Sequence, residues 1–165
     1  MNPDTVVVDL AKLVFKRLKE TNKKLMFVES CTGGMGAGLL VAHCPGISQF
    51  LHGSLVVYTI EAKSQWLQIP ITTLQVIGTE SAHCAEEIGV AAAWKNNVNI
   101  VSIVGDLSKA PYEIHMYHID ATNTIGSSRV HQIKTITLSN DNRQNRQLRM
   151  KEALVHLYLY ILECL

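Results

Sequence analysis

The residues best suited to chemistry follow the first short apolar run of this chain. They are three consecutive side chains with a hydroxyl or thiol and a pair of glycines: Ser30, Cys31, Thr32, Gly33 and Gly34. The run before them predicts a strand, and the spacing after them predicts a helix. Amides at a helix start lack intrahelical partners, so they can hold a phosphate or a developing oxyanion. Alone, the segment is more typical of a capping hydroxyl beside a flexible turn.

A second segment supplies the groups that a serine nucleophile requires. Tyr58 ends a run of β-branched and aromatic residues, and Lys63 follows one helical turn later. A serine hydroxyl needs a base to remove its proton, and a lysine can serve when burial or a neighbouring positive group keeps it neutral. A nearby tyrosine hydroxyl can relay the proton or position the lysine. Alone, this segment is an ordinary strand end with a solvated lysine.

Together the two segments resemble the CinA C-terminal domain family. That family reads approximately A-E-S-C-T-G-G, then P-G-S-S, then Y-S-N-E-A-K. The corresponding residues here are 28–34, 45–48 and 58–63, and residues 78–81 are similar to the family's later G-A-V-S. The resemblance covers most of the chain but is dense only from about Val28 to Lys63.

The resemblance implies hydrolysis of the carboxamide of nicotinamide mononucleotide to nicotinate mononucleotide and ammonia, without a metal or other cofactor. On that pattern Ser30 is the nucleophile, Lys63 its base and Tyr58 the relay or orienting group. The implied substrate-binding residues are Thr32, Gly33, Gly34, Gly105 and Arg146. Without the resemblance, Arg146 reads as part of a solvated helix face, because Arg143 and Arg149 lie nearby.

Two departures from the family pattern bear on activity. The family has a long loop after its third strand, approximately T-G-I-A-G-P-x-G-G-x-x-x-K-P-V-G-T-V, where this chain has only residues 104–113. Ile60 replaces the asparagine of Y-S-N-E-A-K and cannot hydrogen-bond through its side chain. Losing one oxyanion donor typically lowers turnover by about 10²–10³-fold. Two interpretations stay open: a weak or altered amidase, and an inactive paralogue that binds a ligand or a partner.

A metal site is the alternative chemistry. The tripeptide Ala-His-Cys occurs twice, and two histidines with two cysteines can form a tetrahedral zinc site. The pairs are His43 with Cys44 and His83 with Cys84. Adjacent side chains point in different directions and neither pair has a common zinc-finger spacing, so we predict no metal.

Cys31 is the alternative nucleophile in the first segment. A helix N-terminus lowers the pKa of a thiol and favours the reactive thiolate. No histidine stands at a recognisable partner position, so Ser30 is the preferred nucleophile. Separate replacement of Ser30 and Cys31 by alanine distinguishes the two.

The composition restricts the class of partner. The formal net charge of +1 gives no electrostatic argument for nucleic acid or an anionic membrane surface. The sequence has no apolar run of about eighteen residues and no basic leader before an apolar stretch, so we predict neither a membrane span nor a signal peptide. The four cysteines form no CxxC pair, which is typical of reduced thiols in the cytoplasm. The resemblance implies a small, nucleotide-like molecule as the ligand.

The elements that must position these residues alternate between helices and strands. Helices are predicted from a cap at Asp4, from Met35, over 61–67, after a cap at Ser81 and over 141–165. Strands are predicted over 25–28, 54–60, 98–104, 113–119 and 129–138, with a turn at 123–128. This order predicts a three-layer α/β/α sandwich with a mixed central sheet, in a single domain of residues 1–165. The closing helix is apolar beyond one stripe, which favours a homo-oligomer contact unless the helix is deeply buried.

Overall fold

The computed structural model describes residues 2–122, 131–141 and 145–165. Its helices are α1 (Pro3–Thr21), α2 (Met35–His43), α3 (Ile60–Leu67), α4 (Ile71–Ile77), α5 (Ala82–Ala93) and α6 (Arg146–Cys164), with a 3₁₀ helix at Ile47–Gln49. Its strands are β1 (Leu25–Glu29), β2 (Leu51–Val56), β3 (Asn99–Gly105), β4 (Glu113–Asp120) and β5 (His131–Thr137). The predicted turn at 123–128, the first two residues of the last predicted strand and Arg143 lie outside the described residues.

The five strands form one mixed sheet in the order β2-β1-β3-β4-β5. β1 pairs in parallel with both β2 and β3, whereas β4 and β5 extend the sheet in antiparallel pairs. β1 and most of β3 are buried, because helices cover both faces of the sheet at its centre. Such strands read as continuous apolar runs in the sequence. The predicted mixed sheet is confirmed.

Two hydrophobic cores lie on opposite faces of this sheet. α1, α2 and α6 pack on one face, in a core that contains Phe27 and Leu157. α3, α4 and α5 pack on the other face, in a core that contains Val28 and Ile88. Phe27 and Val28 are consecutive in β1, and successive side chains of a strand point to opposite faces. The predicted three-layer α/β/α sandwich is therefore confirmed.

Three helices begin elsewhere than the sequence predicts. α3 begins at Ile60 instead of Glu61, and α6 begins at Arg146 instead of Asp141. Asn2 caps α1, because its side-chain oxygen accepts from the Asp4 amide at 3.0 Å, so Asp4 lies in the first turn instead of at the cap. The sequence does not predict α4 at all. Its seven residues are rich in Ile, Thr and Val, whose branched side chains lower helix propensity.

The boundary between β2 and α3 also differs from the sequence prediction, which extends the strand to Ile60. β2 ends at Val56, so Tyr58 lies in the connection that follows the strand and not at the strand end. The Thr59 hydroxyl accepts from the Ala62 amide at 3.1 Å and caps α3. Capping by a short hydroxyl side chain therefore outweighs the strand preference of the β-branched residues that precede it.

The closing helix α6 is buried against the rest of the chain. Its apolar residues with at most 1% exposure are Ala153, Leu154, Leu157, Tyr158, Tyr160 and Ile161. Burial within the chain accounts for the apolar width of this helix, so these residues give the predicted homo-oligomer no support and it stays a prediction. Within the described ranges, no helix combines the length and apolar character needed to cross a membrane.

Candidate active site

The predicted chemical residues lie where the central parallel strands end. β1 and β3 are adjacent and parallel; Ser30 directly follows β1, and Gly105 is the last residue of β3. After β1 the chain continues through α2 on one face of the sheet, and α3, α4 and α5 return to β3 on the other face. In open α/β sheets, ligands bind outside the carboxyl ends of two neighbouring strands when the connections run to opposite faces of the sheet.

A direct contact joins the predicted nucleophile to the predicted base. Lys63 Nζ donates to Ser30 Oγ at 3.2 Å and lies 3.4 Å from the Tyr58 carbonyl oxygen, to which it also donates. The Ser30 amide donates to the Ile103 carbonyl at 3.0 Å, so β3 holds the backbone that carries the nucleophile. Ser30 is 7% exposed and Lys63 is 2% exposed. The fold thus brings together two residues that the sequence keeps far apart.

Burial changes the proton affinity of Lys63. Removal from water lowers the pKa of Lys63 from its ordinary value of 10.5, because desolvation disfavours the ammonium. Cys84, Glu80 and Cys31 act in the opposite direction, since negative charge nearby favours the ammonium. The net direction is downward. A larger fraction of Lys63 is therefore neutral, which is the form that a general base needs.

Cys31 lies beside Ser30 but is poorly suited to be the nucleophile. It is 4% exposed, and burial raises the pKa of its thiol to about 12. The backbone lowers this pKa, as expected at a helix start, but desolvation is the larger effect. The reactive thiolate is therefore scarce near neutral pH, which favours Ser30.

Glu29 occupies the start of α2. Its fully buried carboxylate accepts from the Thr32 hydroxyl at 2.5 Å and from the Gly36 and Ala37 amides at 3.0 and 2.9 Å. Negative side chains are favourable at helix N-termini. These two amides are therefore not available to a substrate anion. The sequence analysis expected the amides at this helix start to hold a phosphate or an oxyanion, and for these two the structure corrects it. Thr32, predicted to bind substrate, is itself fully buried and directs its hydroxyl to Glu29 instead of the pocket.

The paired glycines shape the turn and do not line the pocket. Gly33 and Gly34 have φ angles of 61° and 90°, which glycine adopts without steric penalty. A Cβ atom on Gly34 would lie 2.9 Å from Val56 Cγ2, so β2 also excludes a side chain there. Among the described residues, the Cys31 and Thr32 amides donate to no backbone carbonyl. The same holds for the Gly34 amide, so these three amides of the turn remain as candidate donors to a substrate.

An open pocket of about 150 Å³ lies beside the Ser30–Lys63 pair. The predicted site residues that line it are Ser30, Tyr58, Lys63, Gly105 and Arg146. Further lining residues, which sequence reasoning did not place in the site, are Thr79, Glu80, Asp106, Leu107 and Ser108. The position of Thr79 and Glu80 could have been predicted from one feature of the sequence. They directly precede the cap of a helix, as the segment with the nucleophile directly precedes α2.

Tyr58 and Arg146 meet at the pocket. Arg146 Nη2 donates to the Tyr58 hydroxyl at 2.8 Å, and Nη1 donates to the Ser108 hydroxyl. The contact between Tyr58 and Lys63 runs through the tyrosine carbonyl, whereas the hydroxyl predicted as a relay is bonded to Arg146. Arg146 is the first residue of α6, so the last helix supplies the guanidinium of the pocket.

The segment after β3 is a tight turn attached to α6. A Cβ atom on Gly105 would lie 2.4 Å from a carbonyl oxygen of β4, so only glycine fits at this position. Asp106 Oδ1 accepts from two backbone amides at 2.7 and 3.1 Å, which closes the turn. Arg149 Nε donates to the Leu107 carbonyl at 2.8 Å. α6 therefore fixes both a side chain of the pocket and the segment opposite the nucleophile.

The two His-Cys pairs lie apart. Cys44 is buried in the core under α1 and α6, and Cys84 is buried in the core on the opposite face of the sheet. His43 and His83 are exposed. The sheet separates the two thiols, so the four side chains do not converge on one metal ion. No group of three His, Cys, Asp or Glu side chains in the described part of the chain is arranged to hold a metal.

The sequence model of the family described as the CinA C-terminal domain matches residues 7–161. A putative competence-damage inducible protein of Finegoldia magna is 35% identical over 153 residues, which are 91% of this chain and 35% of that protein. A CinA-like protein of Syntrophotalea carbinolica is 33% identical over 156 residues, which are 92% of this chain and 37% of that protein. The chain thus spans about a third of the length of these curated relatives.

Solved structures share the fold. The competence/damage inducible protein CihA from Agrobacterium tumefaciens matches with a TM-score of 0.82 at 18% identity, over 96% of this chain and 94% of that chain. A competence-damaged protein (CinA) superfamily protein from Escherichia coli matches with a TM-score of 0.80 at 19% identity, over 98% and 92%. At these identities the likeness establishes the fold alone.

Proposed function

Since this chain belongs to the CinA C-terminal domain family, we propose that it is a serine amidohydrolase for the carboxamide of nicotinamide mononucleotide or of a related small molecule. The products are nicotinate mononucleotide and ammonia. The observation that carries the proposal is the 3.2 Å contact between Ser30 Oγ and Lys63 Nζ at an open pocket. A hydroxyl bonded to a buried amine of lowered pKa suits a nucleophile and its base.

Lys63 moves the protons in the proposed reaction. The neutral amine takes the proton of Ser30 while Oγ attacks the amide carbon, and a C–O bond forms. The Lys63 ammonium then gives that proton to the leaving nitrogen, so that the C–N bond breaks and ammonia departs. A water molecule attacks the resulting ester with Lys63 again as base, which frees the carboxylate product and restores the Ser30 hydroxyl.

The negative oxygen of the tetrahedral intermediate needs donors. The Cys31 and Thr32 amides follow the nucleophile directly and donate to no backbone carbonyl among the described residues, so we assign this role to them. One such donor contributes about 10²–10³-fold to turnover. The short turn after Gly105 offers fewer donors than the longer loop of the family pattern, so we expect weak turnover.

The pocket encloses one end of the substrate. Its volume of about 150 Å³ is below the roughly 300–1,000 Å³ of typical ligand sites, so the ring and its amide enter while the sugar and phosphate stay outside. Arg146 is placed to meet the phosphate, because a guanidinium has five donors and the Tyr58 and Ser108 hydroxyls engage two of its nitrogens.

A second candidate function is ligand binding without turnover. The observation that favours it is the Arg146–Tyr58 contact, which leaves the phenol bonded to a cation and not to the Ser30–Lys63 pair. An inactive paralogue would keep the pocket and bind a small molecule or a partner through it.

Ammonia release from nicotinamide mononucleotide tests the proposal. The expected result is weak turnover in the wild type, complete loss in Ser30→Ala and Lys63→Met, and retained turnover in Cys31→Ala. Turnover that survives Ser30→Ala would overturn the assignment of the nucleophile. Binding of the mononucleotide with no ammonia release would favour the second candidate.

The proposed setting is the cytoplasm, with a small molecule as partner and neither nucleic acid nor membrane. All four cysteines are free, and three of them are buried, which suits a reducing compartment. We also propose a homo-oligomer. Light scattering on the purified protein measures its mass directly, and a monomer at micromolar concentration would overturn that part of the proposal.

A further inference from the structure

Glu80 is a carboxylate of the catalytic pocket that the proposed amide chemistry does not use. It stands in the turn between α4 and α5 and lines the same pocket as the nucleophile and its base. The Ser81 hydroxyl donates to the Gly78 carbonyl at 2.9 Å and accepts from the Cys84 amide at 3.1 Å. These bonds hold the turn, so the backbone that carries Glu80 has a fixed position at the pocket.

Glu80 has no direct ion-pair partner within the described ranges. Its side chain takes part in none of the ion pairs or hydrogen bonds found there. Of the two basic groups of the pocket, Lys63 is buried and bonded to the nucleophile, and Arg146 is bonded to two hydroxyls. Asp106 adds a second carboxylate to the lining. Arg146 keeps its positive charge, but when Lys63 is neutral the two carboxylates outnumber this one cation, so the pocket lining has a net negative charge.

This charge acts at the reaction centre. Glu80 raises the pKa of Lys63 and of Cys31, which both lie beside the nucleophile. A substrate group that enters the pocket is therefore subject to the same field, because Glu80 lines the space that the group would occupy.

We propose that Glu80 is a specificity-determining residue that selects carboxamides attached to a positively charged group, such as a pyridinium ring. The inference rests on the proposed amidase function and names the substrate class of that site. A cationic ring beside Glu80 gains an attraction that a neutral ring of the same shape does not. Because Glu80 is exposed to solvent, the expected preference is moderate, about two- to fivefold.

Nicotinamide mononucleotide and its reduced, dihydropyridine form provide a matched pair of substrates. They share the amide, sugar and phosphate, but only the oxidised ring is positive. The ratio of their kcat/KM values is measured in the wild type, in Glu80→Gln and in the control Glu86→Gln, which changes a carboxylate of α5 outside the pocket. Intrinsic differences in amide reactivity cancel when the ratios are compared.

The expected result is a ratio that falls about two- to fivefold in Glu80→Gln and is unchanged in Glu86→Gln. An unchanged ratio in Glu80→Gln would overturn the proposal. An equal fall in both variants would also overturn it, since the effect would then belong to net charge and not to the pocket.

Binding without turnover separates this inference from the proposed function. In Ser30→Ala, the affinities of 1-methylnicotinamide, a cation, and of nicotinamide, which is neutral, are measured by NMR titration. We expect tighter binding of the cation and loss of that difference when Glu80→Gln is added. Preference for the cation in Ser30→Ala, together with no ammonia release by the wild type, would overturn the amidase function and leave the role of Glu80 standing. Equal binding of the two ligands would overturn the role of Glu80.

Discussion

Lys63 is 2% exposed, and its Nζ has two oxygen partners, Ser30 Oγ and the Tyr58 carbonyl. Lysine is almost never fully buried unless it is paired, because its ammonium is strongly hydrated. Here the partners are neutral oxygens, so they compensate the lost hydration only in part. This environment favours the neutral amine of Lys63 over its ammonium. In the proposed reaction, the burial of Lys63 therefore helps Ser30 to act as a nucleophile.

The pH dependence of turnover reports this environment. We expect kcat/KM to rise with pH and to level off above the pKa of Lys63, because only the neutral amine takes the proton of Ser30. Burial lowers the pKa of Lys63, so the midpoint of the rise lies below 10.5. Initial rates of ammonia release across the neutral and alkaline range measure it. A midpoint at the value of a free lysine contradicts the role of burial.

The family resemblance was needed to predict that Ser30 and Lys63 act together, and the direction of the Thr32 hydroxyl was not predicted. Taken alone, the strand-to-helix junction is typical of a capping hydroxyl, and the lysine after Tyr58 is typical of a solvated side chain. The direction of the Thr32 hydroxyl depends on Glu29, whose carboxylate folds back over the start of α2. Side-chain packing determines whether Thr32 faces the pocket or the core, and the periodicity of the sequence contains no information about this packing.

At the scale of elements, the carboxylate of Glu29 holds β1 and α2 together. We expect Glu29→Gln to lower the free energy of unfolding by about 1–3 kcal/mol, because a single amide oxygen cannot accept from all three donors and at least one buried donor loses its partner. Urea unfolding followed by circular dichroism measures the change.

Thr32→Val is the matched control, since it removes only the hydroxyl and leaves both amide bonds to Glu29. A smaller loss is expected there. Equal stability of Glu29→Gln and the wild type would show that the carboxylate is not needed at this helix start.

The boundary near Tyr58 shows how two local preferences compete. A run of β-branched and aromatic residues predicts a strand to Ile60, whereas β2 stops at Val56 and Thr59 caps a helix. The consequence is chemical: Tyr58 lies in a connection, where its carbonyl meets Lys63 and its hydroxyl meets Arg146. Long periodic elements were predicted well, and the short connections that carry the site were not.

At the scale of the whole molecule, a buried histidine in the sheet affects acid stability. Burial lowers the pKa of His118 to about 4 from 6.5, and its Nε2 lies 3.0 Å from Asn99 Oδ1. Between these two pH values the unfolded chain binds the proton more readily, so stability falls as pH decreases through that window. The loss is on the order of 3 kcal/mol, since one pH unit is worth about 1.4 kcal/mol.

Unfolding of the wild type and of His118→Gln at several pH values across this window tests the expectation. The decline should be less steep in His118→Gln, which has no imidazole to protonate, while the exposed His43→Gln should follow the wild type. Parallel curves for all three proteins would assign the acid sensitivity to other groups.

The three-layer architecture could be predicted because alternating helices and strands leave few ways to cover both faces of a sheet. The sequence could not place Arg146 beside Tyr58, since this contact joins residues 88 positions apart and depends on how α6 packs. For the apolar residues of α6 it left a surface contact and burial open, and the fold buries them. The order of helices and strands along the chain therefore predicts the layers of the fold more reliably than it predicts which side chains of different elements are in contact.

The Tyr158 hydroxyl of α6 donates to the Gly36 carbonyl of α2 at 2.7 Å. This hydrogen bond joins residues 122 positions apart and holds the last helix against α2. On the ribosome, the nucleophile and its base emerge well before Arg146 is translated. The pocket is therefore complete only after the last helix has emerged and packed on the core that contains Phe27. Under the proposed function, binding of an anionic group at Arg146 depends on this last step of synthesis.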